Sequence, residues 1–274
     1  MHFFVIFLEK RAIYDKNPYL YATNKLIISM RKLRLYILAI AAVCAVACSQ
    51  KANENPVPEF KTFEYELIEE GNYSFSISYE HITNTADNEA FALIEEMNYV
   101  ATFGDYALEK QDLQRSAESL CQEALASMKA FEISGVECEM HLYQVATLIR
   151  DNSTVCYDTV IETDFGGVYP IVSHTFECYD LASGNAYDFG YLNDGEWYDT
   201  LVETIFNKLD AEYGEKFHII SAEYFYLPQI IYLTDAGIVF QYNPYEIGDA
   251  ELGSISIELT DAELKATGAP LVWE

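Results

Sequence analysis

Beyond its 44 carboxylates, the residues of this sequence best equipped for chemistry are its histidines and cysteines. His81, His141, His174 and His218 are widely spread, and no HExxH, GxSxG or GxxxxGK[ST] pattern organises them. Cys121, Cys138, Cys156 and Cys178 show no CxxC spacing of the kind that serves zinc or thiol exchange. A catalytic carboxylate pair cannot be picked from so many acids by spacing alone. The sequence therefore points to no catalytic residue, no metal set and no cofactor. His174 stands apart, because alternation puts it with Val172, Phe176 and Cys178 on an apolar face. A satisfied core histidine is the first reading, a ligand or general base the second. Four cysteines allow three pairings. If the runs 154–163 and 171–181 form a hairpin centred near residue 167, Cys156 faces Cys178 within disulfide range, leaving Cys121 and Cys138 as a second pair. The alternative is four buried thiols in a reducing niche.

The elements that must position these residues are legible as periodicities. Phe63, Tyr65 and Leu67 alternate with Glu64 and Glu66, and after a turn at Glu69–Asn72 the residues Tyr73, Phe75, Ile77 and Tyr79 alternate with serines. Thr85 or Asp87 can cap a helix to about Phe103, with Ala90, Ile94, Met97 and Ala101 on its inner stripe and Gly104 ending it. A second helix, about 107–131, carries Leu113, Ala117, Leu120, Cys121, Ala124 and Met128 at helical spacing. Period two returns from Val136, with Cys138, Met140 and Leu142 opposite Glu137, Glu139 and His141. Two further strands, a helix from Trp197 to about Leu209, a strand at 218–226 and a last strand at 252–259 follow. Ile230 to Tyr242 reads as a hairpin whose turn is Thr234-Asp235-Ala236-Gly237. Gly237 is expected at positive φ there, with Tyr242 and Tyr245 framing the sheet's edge.

The first sixty residues read differently. Arg31, Lys32 and Arg34 precede an apolar run, Leu35–Val43, that is short for a bilayer span. Ala45-Val46-Ala47-Cys48 then resembles the lipobox of bacterial lipoproteins, in which the cysteine takes lipid and becomes the mature N-terminus. An ordinary signal cleaved after Ala47, or an uncleaved anchor, is the alternative. Residues 1–29 read as an upstream lead, 30–47 as the signal peptide and 48–60 as a polar tether with two prolines. Removing residues 1–47 takes away seven Lys/Arg and two Asp/Glu, so 9 basic and 42 acidic residues remain, a net charge of −33. Such a chain repels nucleic acid and attracts cationic partners, although an acidic surface also serves solubility alone.

The run YLTDAGIVFQYNPYEI, with Gly253 and the strand SISIEL, resembles the RsiV-like C-terminal domain family of unknown function. That family occurs in bacterial envelope proteins, among them a lysozyme-sensing anti-sigma factor and some polysaccharide deacetylases. Upstream, DFGGVYPIVSHTFECYDLASGNA is similar to the family's Gly-Gly loop, strand and turn, here with Asp180, Leu181 and Gly184. The family's loop often has a histidine two residues after the glycine pair, where this chain has Tyr169, so no imidazole role is carried over. Strands 62–80 and the helix after them resemble the smaller domain that usually precedes this one.

The combined expectation is an α+β fold, an antiparallel sheet packed by about three helices in two subdomains, 61–133 and 134–274. The lipobox-like segment ending at Cys48 implies a lipid-anchored protein of the bacterial cell envelope, at the outer membrane in a diderm. Together with the tether, the absent catalytic motifs and the family resemblance, it points to a non-enzymatic binding module for a cationic protein such as lysozyme, or for a cell-wall glycan. A hydrolase or deacetylase acting on envelope polysaccharide is the alternative.

Overall fold

The computed structural model describes residues 56–69, 73–86, 88–108, 110–130, 137–166, 170–216, 225–244, 246–248 and 250–273. The signal and Cys48, the turn at 70–72, the subdomain boundary near 133, Tyr169, Tyr245 and most of the expected strand at 218–226 lie outside the described residues. No described helix is long and apolar enough to cross a membrane.

Two antiparallel-rich sheets and four helices make an α+β fold among the described residues. The larger sheet runs in the order β1 (Phe60–Glu69), β2 (Tyr73–Ile82), β3 (Cys138–Ile149), β4 (Thr154–Asp164) and β5 (Ile171–Asp180). The smaller contains β6 (Ile230–Leu233), β7 (Gly237–Tyr242) and β8 (Ile255–Thr260). α1 (Glu89–Phe103) and α2 (Leu113–Ala130) connect β2 to β3, which pair in parallel from Tyr73↔Cys138 to Ser78↔Tyr143. A parallel neighbour needs a long crossover, and the two helices supply it. The strands on either side of the expected subdomain boundary thus share one sheet. α3 (Tyr198–Tyr213) packs on the smaller sheet, and α4 (Asp261–Thr267), which strand periodicity concealed, begins directly after β8. Thr260 builds the start of α4 as a reciprocal capping box with Glu263.

α1 departs from its sequence reading in phase. Its cap is Asn88, whose side chain accepts the Phe91 N–H, rather than Thr85 or Asp87. Its buried residues are Phe91, Ile94, Glu95, Asn98, Tyr99 and Phe103, so the helix is rotated away from the all-apolar stripe and Ala101 is exposed. The reason is a buried polar network. Glu95, only 5 % exposed, accepts from the Ile82 backbone N–H at 2.8 Å, Gln111 Nε2 at 2.7 Å and the Tyr79 hydroxyl at 3.0 Å. Asn98 and Gln144 exchange amide hydrogen bonds, and Gln144 also donates to Thr102 and Thr159. Satisfied this fully, the polar side chains tolerate burial that would otherwise cost several kcal/mol, about 1–3 for each unpaired group.

The two sheets are clamped at the β3–β4 turn, where Arg150, Asp151 and Asn152 all adopt left-handed conformations at φ 54, 55 and 59. Arg150 Nη1 and Nη2 donate to the Asp261 carboxylate at 3.0 and 2.9 Å, and Nη2 donates to the Gly237 carbonyl at 3.0 Å. The guanidinium also lies over the Trp273 ring, and the Arg150 backbone N–H donates to Asp235 Oδ1 at 2.6 Å. These contacts hold Arg150 in a conformation that costs a non-glycine residue about 1–2 kcal/mol, whereas Asp151 and Asn152 are residue types that enter it more readily.

The 230–242 hairpin has the expected register, Leu233 opposite Ile238, with the turn between them. Gly237, however, is not among the positive-φ residues. It is required for a different reason: a Cβ there would stand 2.7 Å from Thr260 Cα and closer still to the Leu259 carbonyl of β8. Tyr242 is likewise corrected. It is fully buried in β7, the central strand, and its hydroxyl donates to the Tyr226 carbonyl at 2.8 Å rather than framing an edge.

Candidate functional site

One face of the larger sheet carries α1 and α2, and the opposite face carries the side chains that alternate with the core. The registers lay these out in rows across the strands. Glu66, Ser76, His141, Glu162 and Val172 form one row; Glu64, Ser78, Tyr143, Val160 and His174 form the next. Period two leaves no choice, since every second residue of β1 to β3 is committed to the helical side by Phe63, Phe75, Ile77, Leu142 and their neighbours. Over β1–β3 this face is open: Glu64, Glu66, Glu139, Tyr143 and Val145 are exposed. Toward β5 it closes, with Val160 buried and Phe176 stacked on Tyr232 at 3.8 Å between centroids.

Within the open rows, Ser76 Oγ and His141 Nδ1 lie 2.7 Å apart, and His141 Nε2 is 3.3 Å from Glu139 Oε2. A hydroxyl, an imidazole and a carboxylate in series are the parts of a nucleophilic triad. The backbone around them argues for a polar surface ladder instead. Ser76 lies mid-way along β2, which is paired on both sides by β1 and β3, so the neighbouring N–H groups are committed to the sheet and cannot form an oxyanion hole. What the face offers is donors, acceptors, an exposed tyrosine and several carboxylates on a rigid plane.

His174 is half-buried rather than in the core; its Nδ1 lies 3.2 Å from Asp158 Oδ1 and its ring stacks on Phe176. A neighbouring carboxylate explains how a polar ring is accommodated on that otherwise apolar strand face. Cys156 and Cys178 are directly opposed and joined by a disulfide, with Cα atoms 4.0 Å apart. The second pairing is not formed: Cys121 and Cys138 are both buried thiols in the core under α2. Burial pushes the Cys121 thiol up to about 12, which makes it a packing residue rather than a nucleophile. Among the described residues no group of histidines, cysteines and carboxylates is arranged to hold a metal ion. Sequence reading singled out none of Ser76, Glu139 and Tyr143; the serine-alternating strand before the helices was the only signal, and which strand it would adjoin was not encoded locally.

The family model of a protein of unknown function, DUF3298, matches residues 193–261. Two solved structures are similar over most of the chain. One is a DUF3298 family member from Bacteroides fragilis, at 15 % identity and a TM-score of 0.63, with 76 % of this chain and 92 % of that one covered. The other is a DUF3298 family protein from Pseudomonas aeruginosa PAO1, at 14 % identity and a TM-score of 0.50, with 79 % and 98 % covered. At these identities the likeness establishes the fold. No curated protein matches.

Proposed function

We propose that this chain is a lipid-anchored, non-enzymatic binding module of the bacterial cell envelope, whose open sheet face receives a cationic protein such as lysozyme or a cell-wall glycan. The observation that carries this reading is the open face itself, where exposed Glu64, Glu66 and Glu139 surround exposed Tyr143 and Val145 on a planar support. Carboxylates steer a basic partner, and a rigid aromatic supplies contact area at little entropic cost. The lipobox-like Ala45-Val46-Ala47-Cys48 and the resemblance to RsiV-like domains support the compartment and the first partner to try.

The test is a comparative titration of the purified chain with lysozyme and with an unrelated basic protein of similar size. It is done at about 0.15 M salt, where the Debye length is about 8 Å. Binding to lysozyme alone, weakened at least tenfold by Tyr143→Ala, is the expected result. Equal weak binding to both, vanishing together with added salt, would leave only a generally acidic surface. The second reading, a hydrolase or deacetylase acting on envelope polysaccharide, is favoured by one observation, the Ser76–His141–Glu139 series. A glycan turnover screen with and without divalent metal decides it, since Ser76→Ala must abolish any turnover that depends on that series.

A further inference from the structure

The two edges of the larger sheet are not alike. β1 carries Lys61, Glu64, Glu66 and Glu69, the charges by which natural sheets discourage a further strand from adding. The other edge, β5, reads Ile171-Val172-Ser173-His174-Thr175-Phe176 and has neither an acid, a lysine nor a proline until Glu177. Its lower end is occupied by its own chain: Cys178 O accepts from the Tyr187 N–H and the Asp180 N–H donates to Asn185 O. Those bonds fix which residues of β5 turn their backbone groups away from β4. By alternation Val172, His174 and Phe176 turn theirs the same way, and no backbone partner for them exists among the described residues.

Beside this edge lies a groove between β5 and α1, lined by Leu93, Met97, Val100, Glu96, Glu177 and Tyr179. Leu93 is 37 % and Val100 52 % exposed, large apolar side chains on the flank of α1 that borders β5. The 183–185 turn closes one end, since Gly184, at φ 78, packs so tightly on the Ala90 backbone that a Cβ would stand 2.8 Å from its carbonyl oxygen. A strand added to β5 would extend the sheet under α1, place every second side chain against Leu93 and Val100, and meet Glu96 and Glu177 at the groove's rim.

We propose that the β5 edge and this groove capture an extended, cationic polypeptide segment by strand addition, with apolar residues alternating with lysine or arginine. Charge complementarity selects this occupant over a second copy of the chain, whose formal net charge of −28 opposes self-pairing. The surface lies on the helical side and edge of the sheet, away from the open face, so it stands independently of the proposed function.

The probe is a Lys–Val alternating decapeptide, with the same peptide N-methylated on the backbone nitrogens of its central lysines and valines as comparison, so that the ladder donors are lost in either strand orientation while charge and side chains are kept. Hydrogen exchange followed by NMR should find the Val172, His174 and Phe176 amides fast in the protein alone and at least tenfold slower with the peptide. The N-methylated peptide, unable to donate along the ladder, should bind at least tenfold more weakly. Val100→Lys should weaken binding at least tenfold, whereas Val272→Lys, which adds the same charge at another exposed site, should change it less than twofold. Amides already slow in the protein alone would mean the edge is covered and overturn the proposal. So would equal binding of both peptides, or equal weakening by the two lysine variants.

Discussion

The core under α1 and α2 and the core around the smaller sheet are built on different terms. The first admits Glu95, Asn98, Ser116 and Gln144 to its interior and satisfies them with one another, with tyrosine hydroxyls and with backbone. The second is mainly hydrocarbon and aromatic: Leu201, Ile205, Leu209, Leu233, Ile238, Phe240, Ile255 and Leu264, bordered by the Cys156–Cys178 bridge, with Gln241 and Thr267 buried in the same half. The comparison teaches where specificity comes from in each half. Hydrogen-bond geometry fixes the phase of α1, while close backbone approach and a single arginine clamp fix the smaller sheet.

The most severe test strikes the hydrocarbon core. Gly237→Val forces side-chain atoms into the β8 backbone at Leu259 and Thr260, neither of which is a flexible tip that could swing aside. The expected loss, read from urea denaturation, is about 3 kcal/mol, at the top of the overpacking range. A loss below about 1 kcal/mol would mean that β7 and β8 are not so close.

The matching test in the polar core is Glu95→Ala. It strands the buried Ile82 N–H and removes the acceptor for Gln111 and Tyr79, and the same denaturation measurement should show about 2 kcal/mol lost. If the variant proves as stable as the parent, the network is incidental and the phase of α1 has another cause. A smaller effect belongs to the cap that starts α4: Thr260→Ala should cost about 1 kcal/mol.

The smallest effect separates the two halves by sign. Burial raises the Glu95 carboxyl above its ordinary 4.5, so its protonated form is favoured in the folded state. Its contribution is fully present below about pH 4.5 and erodes as pH rises through the folded value. Glu263, held down to about 2 by Lys208 and by Thr260, works in reverse: its contribution is present above 4.5 and lost as pH falls toward 2. Urea midpoints measured from pH 2 to 8 should show that Glu95→Gln removes a decline above pH 4.5. Glu263→Gln should flatten only the acid limb below it. Identical profiles for the two variants would erase the distinction between the cores.

Much of the strand layout was legible, and for a plain reason. A strand buried on one face must alternate, so Phe63–Leu67, Tyr73–Tyr79 and Cys138–Leu142 announced themselves and their inward sides. The Cys156–Cys178 pairing followed from counting along a hairpin, because antiparallel register is set by its centre. The candidate site was much less legible. Ser76 and His141 are 65 residues apart in sequence and meet only because β2 and β3 run parallel through a helical crossover.

Composition and local period thus determined the α+β class, the alternation of the strands and the position of the turn between β6 and β7. Tertiary structure decided that Gly237 is needed for its closeness to β8 and not for a positive φ, since a clash with β8 is invisible from the turn's own residues. It also decided which face of α1 is inside, because Glu95 and Asn98 lie off the apolar stripe of Ala90, Ile94, Met97 and Ala101 and are buried only where Tyr79, Ile82 and Gln144 bond them. Periodicity reports the average environment of a residue, whereas hydrogen-bond partners and backbone contacts between distant strands exist only once the chain has folded.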